Sequence, residues 1–146
     1  MHLYPENMPR KDLYHESVKH ALQKEGWEIT HDPMYIEWEE ATYYPDLGAE
    51  RVIAATKDNE KIAVEIKTFL GQVLQDEFYR ALGQFDNYFY ALSEVEPDRQ
   101  LVLAIPIEAY ELFFQKQYVQ KIIQKKNISL LVYHPVLEII EKWIIP

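Results

Sequence analysis

Apolar residues return every three or four positions in two long stretches of the chain and every second position in several short ones. The first long stretch, residues 10–25, sets Tyr14, Val18, Ala21 and Leu22 on one helical face and stops at Gly26. "WEITH" (27–31) and "YIEWE" (35–39) read as strand pieces separated by Asp32-Pro33. "ERVIAATK" (50–57) and "KIAVEIKTF" (61–69) read as two strands around Lys57-Asp58-Asn59-Glu60, a polar turn suited to a hairpin. The second long stretch, 73–95, repeats Phe78, Leu82, Phe85, Phe89 and Leu92 at helical spacing, with Pro97 just beyond it. "QLVLAIP" (100–106) is apolar throughout, as in a strand covered on both faces. A helix over 107–125 and a strand "ISLLVYH" (128–134) follow, and the tail "VLEIIEKWI" (136–144) fits either a strand or a helix. Residues 1–9, with two prolines, read as an arm.

The order α-β-β-β-α-β-α-β predicts one domain over 1–146, an α/β (α+β) fold with a mixed central sheet flanked by helices. A chain of 146 residues buries roughly two-thirds of its unfolded surface. No apolar run reaches the length of a membrane span, and the N-terminus lacks the apolar segment of a secretory signal. The absence of cysteine excludes disulfides, thiolate zinc sites and cysteine catalysis. A cytoplasmic protein is expected. Net charge is −9, with 13 acids against 6 bases in residues 1–60. Such a surface disfavours nonspecific DNA binding, which depends on neutralising phosphates. The local exception is "QKQYVQKIIQKKN" (115–127), where Lys116, Lys121, Lys125 and Lys126 stand without an acid. They form either a solvated helix face or a DNA-binding patch, and a homodimer would concentrate them around a groove.

The second strand of the hairpin carries charges where a buried strand should have none. Side chains alternate, so Ile62, Val64 and Ile66 share one face and Ala63, Glu65 and Lys67 the other. A turn centred between Asp58 and Asn59 sets Glu65 across from Val52 and Lys67 across from Glu50. Asp46 and Glu50 both point to the face of Glu65 and Lys67. Two carboxylates and a lysine on one sheet face suit Mg²⁺ or Mn²⁺, hard cations that take oxygen ligands and keep waters. A cross-strand ion pair, Glu50 to Lys67, is the plainer explanation of the same spacing.

"YPDLGAERVIAATKDNEKIAVEIKTF" resembles the signature of the PD-(D/E)xK nuclease superfamily: Pro45-Asp46, then Glu65-Ile66-Lys67 behind an aliphatic strand. In the helix that follows, Gln84 and Tyr88 match the QxxxY element of its RecB-like and resolvase-like branches. The resemblance implies a restriction-endonuclease-like core, α-β-β-β-α-β, with a further helix and strand behind it. It implies Asp46 and Glu65 as metal ligands, Lys67 as the catalytic lysine, and Gln84 and Tyr88 as supporting groups. In the expected register Asp46 lies roughly 13 Å from the position facing Lys67, four residues at about 3.3 Å each. Glu50 is therefore a rival for the first acid. Glu16, the family-style extra acid, falls nearly opposite the apolar face of its helix, and His15 lies at the edge of that face.

"RKDLYHESVKHALQKEGWEITHDP", "RALGQFDNY" and "EPDRQLVLAIP", together with the hairpin, are similar to the XisH family, excision-controlling factors of the cyanobacterial fdxN element. That resemblance implies a role in programmed DNA rearrangement during differentiation, beside a site-specific recombinase and the companion XisI. Two functions of different class follow. One is a Mg²⁺- or Mn²⁺-dependent DNA endonuclease. The other is a non-catalytic accessory that keeps a nuclease-like fold and binds XisI or the recombinase. The motif set favours the first and the acidic surface favours the second.

Overall fold

The computed structural model describes residues 10–52 and 59–146. Its centre is a six-stranded mixed sheet in the order β1-β4-β5-β6-β7-β8, with β1 Glu28–His31, β4 Leu47–Val52, β5 Asn59–Ile66, β6 Arg99–Pro106, β7 Ser129–His134 and β8 Ile139–Ile144. Strands β5, β6 and β7 run parallel, and the remaining neighbours are antiparallel. A separate two-stranded hairpin joins β2 (Ile36–Trp38) to β3 (Ala41–Tyr43).

Helix α1 (Arg10–Lys24) covers one sheet face. Val18 and Leu22 are fully buried there against Leu47, Ile62, Val64 and Tyr133. The helix stops where the spacing predicts. Gly26 adopts φ +88°, a left-handed conformation open to glycine, and the Gly26 and Trp27 N–H groups close onto the Gln23 and Leu22 carbonyls. Helix α2 (Leu74–Val95), helices α3 (Ile107–Leu112) and α4 (Gln117–Lys125), and the β2–β3 hairpin cover the other face. Both faces of β5 are thus covered over its second half, which is why Ile62, Ala63, Val64 and Ile66 are apolar on either side and Glu65 stands out among them. Among the described residues no helix is long and apolar enough to cross a membrane.

Several expected elements differ. The helix foreseen over 107–125 is two helices. Phe113 and Phe114, adjacent and each 2% exposed, both turn inward, which one regular helix face cannot accommodate because neighbours point about 100° apart. The tail is a strand, β8, entered through Glu138 at φ +56°. In α2 the buried row is Phe78, Ala81, Phe85, Tyr88 and Leu92, whereas Phe89 is exposed. The predicted arm and the 53–57 end of the first hairpin strand lie outside the described residues, as do Lys57 and Asp58 of the expected turn. Asn59 and Glu60, the rest of that turn, are already strand.

Ser17 fixes α1 to the far side of the sheet. It is fully buried, and its hydroxyl lies 2.6 Å from the Pro135 carbonyl and 2.9 Å from the Leu13 carbonyl. Ser17→Ala is expected to cost about 1–2 kcal/mol, read as a lowered urea midpoint with unchanged slope. An unchanged midpoint would mean that the buried Ser17 hydrogen bond adds nothing to the packing of α1.

Candidate functional site

The register of β4 against β5 decides what the charged side chains can do. Leu47 pairs with Val64, Glu50 with Lys61 and Val52 with Asn59. Relative to the turn expected at Asp58-Asn59, each residue of β4 is displaced by six positions along β5. The shift is even, so every side chain keeps its predicted face while its partner changes. One step beyond Leu47–Val64, the same ladder sets Asp46 beside Glu65. The gap expected between Asp46 and the motif closes.

Asp46 follows Pro45 in the connection from β3, and the Pro45 carbonyl accepts the Met34 N–H at 2.9 Å. The half-buried carboxylate of Asp46 accepts the Ile66 N–H through Oδ2 at 2.7 Å, so it is held on the end of β5. Glu65 is 5% exposed. Its Oε2 stands 3.3 Å from Lys67 Nζ, and its Oε1 is buried without a hydrogen-bond partner. Burial first, and then the Asp46 charge, push the Glu65 carboxyl up to about 8 against the opposing pull of Lys67. Lys67 extends the parallel ladder by donating its N–H to the Ala104 carbonyl at 2.9 Å.

Gln84 and Tyr88 brace the same place from α2. Gln84 Nε2 donates to the Tyr88 hydroxyl at 2.9 Å, and that hydroxyl lies 3.4 Å from the Tyr44 carbonyl, two residues before Asp46. Tyr43 meets the Tyr88 ring edge to face at 5.7 Å, while Tyr44 is exposed and packs on Tyr35. Burial and the charge of Glu65 push the Tyr88 phenol up to about 12, so it remains a neutral donor.

The structure therefore brings together Asp46, Glu65, Lys67, Gln84 and Tyr88. Glu50 is excluded from this group. It faces Lys61, and its Oε1 takes an ion pair from the buried Arg99 at 3.3 Å. The cross-strand pair Glu50–Lys67 does not form, because the shifted ladder sets the two residues at opposite ends of β5. Glu16 is partly exposed near Lys19 and His20, and His15 bonds Asp32 at 2.7 Å, so neither joins the site. Lys116, Lys121, Lys125 and Lys126 are exposed, with Lys116 over the Phe113 ring and Lys126 paired with Asp86 at 2.8 Å. Lys125 and Lys126 stand where α4 leads into the start of β7, away from the end of β5 that carries Lys67.

Arg80 is absent from the sequence-based set. It stands one helical turn before Gln84, as Gln84 stands one turn before Tyr88, and that spacing was the available signal. Arg80 lines a cavity of about 290 Å³ with Lys67, Thr68, Phe69 and Glu77.

Two carboxylates that repel each other, one of them with a buried oxygen lacking a donor, suit a hard divalent cation. Among the described residues no group of three or more His, Asp or Glu side chains is assembled as a metal cage. A cation held by Asp46 and Glu65 would keep several waters, as Mg²⁺ and Mn²⁺ do.

Fold and site together define a mixed α/β domain with an acidic pair and a lysine at the end of its central strands. No functionally curated protein matches the sequence. The family model described as "XisH protein" matches residues 8–141, and the chain belongs to that family. Two crystal structures are similar. An XisH family protein from Nostoc punctiforme is 40% identical, with a TM-score of 0.83 over 91% of this chain and 99% of that one. An fdxN element excision controlling factor protein from Anabaena variabilis is 44% identical, with a TM-score of 0.83 over 91% of this chain and 98% of that one.

Proposed function

We propose that this chain is an excision-controlling factor that works as a Mg²⁺- or Mn²⁺-dependent DNA endonuclease with a PD-(D/E)xK site. The observation that carries the reading is the register of β4 on β5, which sets Asp46 beside Glu65 and leaves Lys67 3.3 Å from the same carboxylate. The excision role rests on the name of the Anabaena variabilis relative. The bound cation would lower the pKa of a water and neutralise charge developing on a phosphoryl group. Asp46 and Glu65 would hold it, and the Ile66 N–H fixes the Asp46 carboxylate. Lys67 steadies the attacking hydroxide or a phosphate oxygen from the solvent side of Glu65. Gln84 and Tyr88 hold the Tyr44–Asp46 segment in place.

The test is cleavage of linear and branched DNA with Mg²⁺ or Mn²⁺, by the wild type and by Lys67→Ala. Metal-dependent nicking lost in the variant supports the reading. Equal cleavage by both proteins would trace it to a contaminant, and none by either would remove the enzyme. A net charge of −9 favours a second reading, an adaptor for a companion factor or recombinase, and the last outcome would select it.

A further inference from the structure

We infer that the cavity between Lys67 and Arg80 is a binding site for one phosphate of a nucleic-acid strand, the neighbour of the phosphate at Asp46 and Glu65. The inference rests on the nuclease reading and adds to it the group that positions the substrate.

Four features carry it. First, the cavity wall holds two cations, Lys67 and Arg80, beside Thr68, in a protein whose net charge is −9. Second, Arg80 is exposed and, among the described residues, makes no ion pair or hydrogen bond, so its guanidinium fork is available to an anion. Third, Lys67 is shared. It touches Glu65 on one side and lines the cavity on the other, so a strand reacting at the carboxylates passes Arg80 next.

Fourth, the floor of the cavity is fixed. Phe69 is held at φ +52°, a costly conformation for a non-glycine residue, with its ring 5.2 Å from Phe114 and 6.2 Å from Phe113. Gly71 N–H donates to Glu77 Oε1 at 3.0 Å, and a Cβ at Gly71 would stand 2.6 Å from that oxygen. Glu77 is thereby tied to the loop. Glu77 in the wall and Glu65 beside Lys67 offset the two positive charges, so the anion is held by the unpaired fork of Arg80 and not by an excess of charge.

The ligand class is a phosphodiester, and the probe is a fluorescein-labelled DNA duplex followed by anisotropy in EDTA, where cleavage is off. Arg80→Ala is expected to bind about tenfold more weakly and to reduce the slope of log affinity on log salt by about one, with Arg80→Lys restoring the slope. Affinity and slope equal to wild type would overturn the site, as would a wild type that binds no duplex. Cleavage by the wild type in Mn²⁺ is scored separately. Arg80-dependent binding without cleavage supports the phosphate site and removes the nuclease; cleavage with an Arg80-independent slope does the reverse.

Discussion

Glu65→Gln is expected to stabilise the metal-free protein above pH about 8, by on the order of 3 kcal/mol, and to bring no comparable gain below pH 4.5. Burial and the Asp46 charge make the folded Glu65 carboxyl bind its proton more tightly than the unfolded one does. Its contribution to stability is fully present below the unfolded value of 4.5 and is lost as pH rises through about 8. Glutamine has no charge to bury, so the variant escapes that loss. Urea midpoints across this range in EDTA would show the two curves parting as pH rises. A wild type that gains on the variant in alkali would contradict the buried carboxylate pair. Mn²⁺ should then reverse the order, because a ligand that binds only the folded wild type stabilises it by mass action.

Asp46→Asn is expected to lower metal-dependent cleavage by about a thousandfold, the scale of losing a group that stabilises charge in the transition state. Asparagine keeps an oxygen for the Ile66 N–H, so the fold and its metal-free stability should survive the change. Glu50→Gln is the matched control. It disturbs an ion pair with Arg99, which retains Glu96 and the Ile62 carbonyl, and should leave cleavage within about twofold. Single-turnover rates on one DNA substrate separate the cases. Loss in Glu50→Gln with activity in Asp46→Asn would return the first acid to Glu50 and refute the register.

The faces of the strands were legible in the sequence and their partners were not. Alternation alone assigns Ile62, Val64 and Ile66 to one side and Glu65 to the other, and any even shift of register preserves that assignment. The polar run Lys57–Glu60 is good turn chemistry, yet the ladder instead opposes Val52 to Asn59. It thereby places Leu47 and Ala49 against Ile62 and Val64 beneath α1, so tertiary burial outweighed a local preference. Helices α1 and α2 were legible because their apolar spacing is long and regular. Spacing did not say which of two adjacent rows of α2 faces inward, and Tyr88 rather than Phe89 was taken toward the carboxylates. Nor did it foresee the break at Phe113-Phe114, since both rings are needed around Phe69 and Phe78. That Asp46, Glu65, Lys67, Gln84 and Tyr88 lie close together was legible through the motif they resemble. Arg80, outside that motif, emerged from the cavity it lines.

The measurement closest to the central claim is calorimetric titration of Mn²⁺ into the wild type and into Glu65→Ala. Binding by the wild type, with release of a proton as pH falls below about 8, and none by the variant would place the cation on the Asp46–Glu65 pair. Equal binding by both proteins, or binding by neither, would contradict a metal site at this end of β5.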